Sequence, residues 1–351
     1  MKNSILYIIV VAFATLLLAS CEKEIEFKGE QTDPKLVVNC VCTVGEPVVA
    51  QLSKSYFFLD PDGNTEAPDA TKVQLYVNDN YVGEMIRFED SLWGKAGGDV
   101  LRSPQIKLFR NDYCPKTGDR IKITASAPGF DAVEACTSPM PEPAGCVVSD
   151  FVLTGEPTFE SWYDDDGCQS FHYIYKADVM LDVSDPNPGR TDYFVLNVAV
   201  EWQGEHQWNA NVWAEYNDPV FGNGGPVLGE LSENSNRNNS FTDLLFDGKT
   251  YKVKVPVKLN LYGYSAPDSV SPVLSMRVEH LTKEYYNYLT TVSLQGDEVM
   301  GAFAEPVHVF SNVQDGYGIV GGTNVSKAEY QLPLVESQPY MECGRGNNKH
   351  I

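Results

Sequence analysis

Positive charge is scarce in this sequence. Its 351 residues hold 26 lysines and arginines against 48 aspartates and glutamates, a formal net charge of −22. A surface this acidic repels phosphate backbones, so nucleic acid is excluded as a partner. Histidine is scarcer still: His172, His206, His280, His308 and His350 are scattered, and no two sit at helical ligand spacing. There is no G-x-S-x-G elbow, no H-E-x-x-H, no phosphate-binding glycine loop and no dinucleotide fingerprint. No C-x-x-C pair exists, which argues against a zinc site or a thioredoxin-like centre. Paired carboxylates abound, but 48 acids produce such pairs by composition alone. The expectation is a non-enzymatic protein with no cofactor and no resident metal.

Long apolar runs are also lacking. The longest, over residues 5–18, falls short of the roughly 20 residues a transmembrane helix needs. It follows Lys2 and leads into Leu17-Leu18-Ala19-Ser20-Cys21. A basic start, an apolar stretch and small residues before a cysteine form a signal peptide ending in a lipobox. The expectation is a lipoprotein whose signal peptide is residues 1–20 and whose lipidation site is Cys21. The cysteine sulfur would hold a diacylglycerol and the freed amine a third, palmitate-type acyl chain. At about 0.8 kcal/mol per buried methylene, several chains anchor a protein to a bilayer almost permanently. Removing residues 1–20 takes away Lys2 and no acid, so the formal charge moves from −22 to −23. Lipid, not charge, would provide attachment.

Seven cysteines remain once Cys21 is set aside: Cys40, Cys42, Cys114, Cys136, Cys146, Cys168 and Cys343. The odd number leaves at least one thiol free or intermolecular. Cys114 with Cys136 and Cys146 with Cys168 are plausible structural pairs. Cys40-x-Cys42 places two side chains on one face of a strand, which suits neither a metal nor a direct disulfide.

Residues 21–34 read as a short acidic tether. From residue 35 the chain reads as β, in short segments rich in β-branched and aromatic residues parted by turn-formers. Strands are expected over 35–41, 47–53, 73–77, 81–87, 105–109, 120–127 and 132–137. Seven short strands in about a hundred residues suit an immunoglobulin- or transthyretin-like sandwich. Residues 138–145 hold three prolines, at 139, 141 and 143, and read as a stiff linker. A second β-rich domain over 146–335 is expected, with strands at 146–153, 171–183, 193–203, 207–216, 250–262, 273–280 and 307–311, then a tail over 336–351. Residues 282–294 break the pattern. Leu281, Tyr285, Tyr288, Leu289 and Val292 fall at helical spacing, and Thr282 is placed to cap a short helix laid on a sheet. The fold class is thus mainly β, two β-sandwich-like domains with one short helix in the second.

Two acidic loops, Asp60 to Asn64 and Asp164 to Gly167, offer oxygens at alternate positions but lack the full pattern of a calcium loop, and read as solvated turns. The aromatic cluster is the stronger candidate. Trp202, Trp208, Trp213 and Tyr216 fall within fifteen residues, on two strands joined around Gly204 to His206 as a hairpin. Indoles exposed there can stack on a sugar ring or anchor a protein partner; alternation can equally bury them between sheets. The long Asn-, Gly- and Ser-rich loop over 217–239 lies beside them.

Motifs at both ends of the chain carry a family resemblance. They are Cys21-Glu-Lys-Glu-Ile-Glu-Phe27, Pro34-Lys-Leu-Val-Val-Asn39, Leu52-Ser-Lys-Ser-Tyr56, Tyr285-Tyr-Asn-Tyr-Leu289, Phe303-Ala-Glu-Pro-Val307, Ser311-Asn312 and Gly316-Tyr-Gly-Ile-Val-Gly-Gly322. In their order and spacing the chain resembles the lipoproteins of the domain of unknown function 4249 family of Bacteroidota. The resemblance implies an outer-membrane location, with the acidic tract after Cys21 as a surface-export signal. It also implies partnership with a TonB-dependent outer-membrane receptor, to which the protein would bring a small-molecule, peptide or glycan ligand. It assigns no catalytic residue. The alternative expectation is a surface adhesin or envelope scaffold without a small ligand; a hydrolase with an unmarked site is the third.

Overall fold

Alternation at the first strand sets the architecture. In β1 (Leu36–Thr43), Leu36, Val38, Cys40 and Cys42 are buried while the residues between them are not. That period of two is what a half-buried strand dictates. β2 (Val48–Lys54) repeats it with Val48, Ala50 and Leu52. The computed structural model describes residues 33–57, 63–88, 106–163, 169–203, 208–222, 239–263, 271–293 and 308–332. Outside them lie Cys21, the tail, Asp60 to Asp62, the Asp164 to Gly167 turn, Phe303 to Val307 and most of the 217–239 loop.

The first half continues with β3 (Lys72–Val77), β4 (Asn80–Glu84), β5 (Ile86–Phe88), β6 (Lys107–Asn111), β7 (Ile121–Ser126) and β8 (Val133–Cys136). The second half begins with β9 (Gly145–Leu153), β10 (Thr158–Tyr163), β11 (Gln169–Ser184), β12 (Tyr193–Gln203) and β13 (Trp208–Ala214). It ends with β14 (Ser240–Thr242), β15 (Thr250–Gly263), β16 (Ser271–Leu281), the helix α1 (Lys283–Ser293) and β17 (Tyr317–Gln331).

Three sheets form from these strands. The largest has eight, in the order β14-β12-β16-β17-β1-β2-β6-β5. A four-stranded sheet, β4-β3-β7-β8, covers one half of it; the core between holds Leu36, Val38, Leu52, Leu75, Ile121 and Ile123. A five-stranded sheet, β10-β11-β15-β13 with β9 also on β11, covers the other half over Phe171, Tyr173, Leu181, Phe194, Leu259 and Met276. The chain is mainly β, with two sandwich-like cores as expected. The two sandwiches share one sheet, because β1 pairs in parallel with β17, Val37 opposite Tyr317 through Thr43 opposite Thr323. Pro34–Ile351 accordingly forms a single compact unit.

The proline-rich segment over 138–145 is clamped across that shared sheet. The Pro141 carbonyl accepts from Asn324 Nδ2 (2.9 Å) and the Ala144 carbonyl from Ser326 Oγ (2.6 Å). The Glu142 carbonyl meets His280 Nδ1 at 2.7 Å, and Ser138 donates through both its N–H and its hydroxyl to the Glu284 carboxylate. Prolines supply carbonyls but no N–H, so side chains of the sheet do the holding.

β17 is buried on both faces over residues 319–324, which explains its glycines. Tyr285 of α1 lies where a side chain at Gly321 would have to go, at 2.7 Å from its Cβ position. Gly318 has φ +108°, and a Cβ there would overlap the Val38 carbonyl. Both positions therefore need the residue without a Cβ. The helix itself falls where its periodicity predicts, although the Thr282 hydroxyl accepts from Gly322 N (3.0 Å), tying the helix start to β17.

The cysteines differ from expectation. Cys40, Cys42, Cys114, Cys136 and Cys146 are all free. Cys114 donates to the Asp112 carbonyl and Cys136 to that of Thr137, so these two thiols are not joined. Cys40 and Cys42 lie Sγ to Sγ at 3.6 Å in the first core, where the hydrogen bond between them and burial push the Cys42 thiol far up.

Candidate functional site

The second sandwich gathers polar loops and aromatic rings at one end. Pro and Gly between Asp185 and Arg190 force a tight turn after β11, and Asp243 to Lys249 turns back into β15. Aspartates staple the two turns together. Asp185 accepts from Asn187 N (2.9 Å) and Gly248 N (2.6 Å), and Asp247 accepts from Gly189 N (2.6 Å). Asp218 likewise accepts from Val220 N, the Tyr251 hydroxyl and Lys254 N.

Deeper in, Asp192 and His280 are both almost fully buried, with Asp192 Oδ1 at 3.4 Å from His280 Nε2. Burial works against the Asp192 charge, but hydrogen bonds from His280 and Asn187 outweigh it and hold the carboxyl down at about 2. The ring of His280 is thus held from both sides, by Asp192 and by the Glu142 carbonyl.

Carboxylate oxygens of Asp185, Asp243 and Asp247 lie within 4.8 Å of one another. Burial raises the Asp243 carboxyl, and the Asp185 and Asp192 charges add to that rise. Three oxygens of this kind are half of a calcium shell, which takes 6–8. All three carboxylates already accept backbone N–H groups, so the arrangement visible here is a loop staple.

Beneath the staple runs a layer of rings. Tyr216 meets Phe221 edge-on at 5.1 Å, Phe221 meets Phe241 at 5.4 Å, and Phe194 contacts Phe241, Phe246 and His280. This layer fills the sandwich end.

The predicted aromatic cluster is divided by the fold. β12 pairs with β14 and β16 in the eight-stranded sheet, while β13 pairs with β15 in the five-stranded one. The expected hairpin is therefore a crossing from one sheet to the other. Trp202 is half-buried against the second core. Tyr216 is half-buried on Phe221, and burial pushes its hydroxyl up. Trp208 lies on β13, its side chain outside the described residues. Among the cluster's described side chains Trp213 alone stands out, 49% exposed on the outer face of β13 with Lys258 Nζ 5.4 Å from its ring centre. Sequence reasoning missed the aspartate staple, whose members look like ordinary turn residues until the two loops meet.

The resemblance motifs that fall on described residues gather elsewhere, around the β1–β17 join. Asn312 accepts from Val320 N (2.9 Å) and donates to Val320 O (2.8 Å) and Cys136 O (3.2 Å). With Gly318 and Gly321 against Val38 and Tyr285, these residues shape the fold.

No curated protein matches the chain. Among solved structures, the collagen adhesin CNA from S. aureus aligns at 10% identity over 86% of this chain and 96% of that one, with a TM-score of 0.12, too slight a likeness to bear on fold or function. The model of one family, described as a domain of unknown function (DUF4249), matches residues 22–329. That span takes in both sandwiches and their join, and the chain belongs to the DUF4249 family.

Proposed function

We propose that the protein is a lipid-anchored, surface-exposed lipoprotein of the outer membrane, a non-enzymatic ligand-binding subunit of a TonB-dependent nutrient transporter. The observation that carries this is the Leu17-Leu18-Ala19-Ser20-Cys21 run with the acidic Glu22-Lys-Glu-Ile-Glu26 behind it. Membership in the DUF4249 family supports it only in so far as resemblance to that family implies a TonB-dependent receptor as partner. A further support is the architecture: two sandwiches sharing a sheet make a stiff body whose loops and outer faces are available for recognition. Among the described residues no helix is long and apolar enough to cross a membrane.

The test is gentle solubilisation of native membranes carrying a C-terminally tagged chain, followed by identification of what co-purifies. One TonB-dependent receptor in roughly equal amount is the expected result. Absence of any barrel partner moves the assignment to an adhesin or scaffold. Cys21→Ser is expected to shift the protein from the membrane to the soluble fraction, read by fractionation; a variant that stays in the membrane would sink the lipid anchor.

A further inference from the structure

The outer face of the five-stranded sheet is where the molecule departs from its own charge pattern. Along the β11–β15 ladder, Lys252 pairs with Asp182 at 3.3 Å and Lys254 with Asp178 at 2.7 Å. One step further, Lys176 stands directly opposite Lys258. Both are exposed, and among the described residues neither has a carboxylate within ion-pairing distance. Like charges opposed across a ladder destabilise a sheet. In a chain with 48 acids and a net charge of −22, two lysines left facing each other are an unneutralised positive spot.

The next strand places Trp213 in the same row, opposite Lys258. The row Trp213–Lys258–Lys176 spans two strand spacings, about 10 Å. Beside it runs a second row, Asn211 opposite Asn260 opposite Ile174. Asn211 is exposed, and Asn260 Oδ1 is covered without a hydrogen-bond partner among the described residues. A buried acceptor left unmade is costly, and turning that amide outward onto a hydroxyl would satisfy it.

We propose that this face, centred on Trp213, Lys258 and Lys176, binds an acidic glycan whose sugars carry carboxylate or sulfate groups. The inference deepens the accessory-subunit assignment by naming the ligand class, and it rests on that assignment only for its biological purpose. Indole offers a flat apolar surface to the C–H face of a sugar ring. Paired ammonium groups bridge one anionic substituent, and the amides of Asn211 and Asn260 take hydroxyls. The spot is small and the surface around it is acidic, so a short anionic oligosaccharide fits it better than a long polyanion.

The test is isothermal titration of the full chain in non-ionic detergent with an oligogalacturonate, a chondroitin sulfate oligosaccharide and maltohexaose. An acidic oligosaccharide is expected to bind at least ten-fold more tightly than maltohexaose. Trp213→Ala, and separately Lys176→Gln with Lys258→Gln, are each expected to weaken that binding at least ten-fold, the lysine pair also flattening its salt dependence. The lysine variant removes a repulsion, so a melting temperature no lower than the parent's guards against loss of fold. Failure of both acidic probes to bind, equal binding of maltohexaose, or affinity unmoved in both variants overturns the proposal. Receptor capture without glycan binding defeats this inference and leaves the accessory assignment standing; glycan binding without a receptor does the reverse.

Discussion

The β1–β17 join and the outer face of the five-stranded sheet are built in opposite ways. At the join, backbone meets backbone: Gly318 abuts the Val38 carbonyl, Gly321 abuts Tyr285, and Asn312 spends its whole amide on main-chain groups. On the outer face, long side chains stand clear of the strands, with Trp213, Lys258 and Lys176 in one row. The resemblance motifs on described residues fall in and around the first region; Trp213, Lys258 and Lys176 belong to none of the motifs. The difference teaches that, in this chain, the motif residues seen at the join hold the chain closed on itself, and that a ligand is to be sought on surfaces they leave alone.

The comparison breaks most visibly at Gly318. Alanine there forces a Cβ into the Val38 carbonyl at φ +108°, where an L-residue is already strained. The β1–β17 register must shift, so Gly318→Ala is expected to cost about 3–5 kcal/mol in urea unfolding, or to prevent folding. A variant within ~1 kcal/mol of the parent would show that the join tolerates movement.

Next in size is Asp192, which belongs to the sandwich end. Its carboxyl is held at about 2, below its ordinary 3.8. A depressed folded value means stability that is present above about pH 4 and lost as pH falls toward 2. The shift corresponds to roughly 2 kcal/mol at neutral pH. Asp192→Asn is expected to cost at least that much, since it takes the charged acceptor away from His280, Asn187 and Arg190, and to flatten the acid limb of a stability–pH curve. An unchanged acid limb would mean that the His280 contact contributes nothing.

Much of this frame was legible in the sequence, and the exceptions have physical causes. Strands with clean alternation, such as β1, β2, β7 and β15, follow from period-two burial. The helix follows from the spacing of Tyr285, Leu289 and Val292. β17 escaped because Gly316, Gly318, Gly321 and Gly322 imitate a loop, whereas the close approach of Val38 and Tyr285 demands glycine within a strand. A strand was expected over 307–311 instead; residues 308–311 form none. The split of Trp202 from Trp213 was illegible for a different reason. Two adjacent strands with a short connection read as a hairpin, and only long-range pairing with β16 and β15 assigns them to separate sheets. The staple of Asp185, Asp243 and Asp247 likewise needs contacts across some sixty residues of sequence.

Asp243 offers a smaller effect with the opposite sign to Asp192. Burial, with the charges of Asp185 and Asp192, raises its carboxyl above the ordinary value. A raised folded value means that the favourable contribution is present at acid pH and lost as pH climbs through that raised value, so at neutral pH the charge is a penalty. Asp243→Asn keeps an oxygen for the backbone donors and removes the charge; a gain of up to about 1 kcal/mol at pH 7, vanishing near pH 4, is expected in thermal unfolding. Destabilisation at neutral pH would show instead that the charge is used.

The smallest effects sharpen the contrast within the outer face itself, because two lysines on one ladder should respond with opposite signs. Lys252 faces Asp182 at 3.3 Å, so Lys252→Gln gives up an exposed ion pair and is expected to lower stability by a few tenths of a kcal/mol. Lys176 faces Lys258 with no acid at hand among the described residues, so Lys176→Gln relieves a repulsion and is expected to raise stability by a similar amount. It also leaves Lys258 over the Trp213 ring, so no attraction is lost in exchange. Both changes remove one positive charge from the same strongly acidic surface, so any general effect of net charge cancels when the two are compared. Added salt should shrink the difference, since exposed charges are screened within about 8–10 Å. If both variants move the same way, the outer face feels only the global charge, and the lysine pair is an ordinary solvated surface feature.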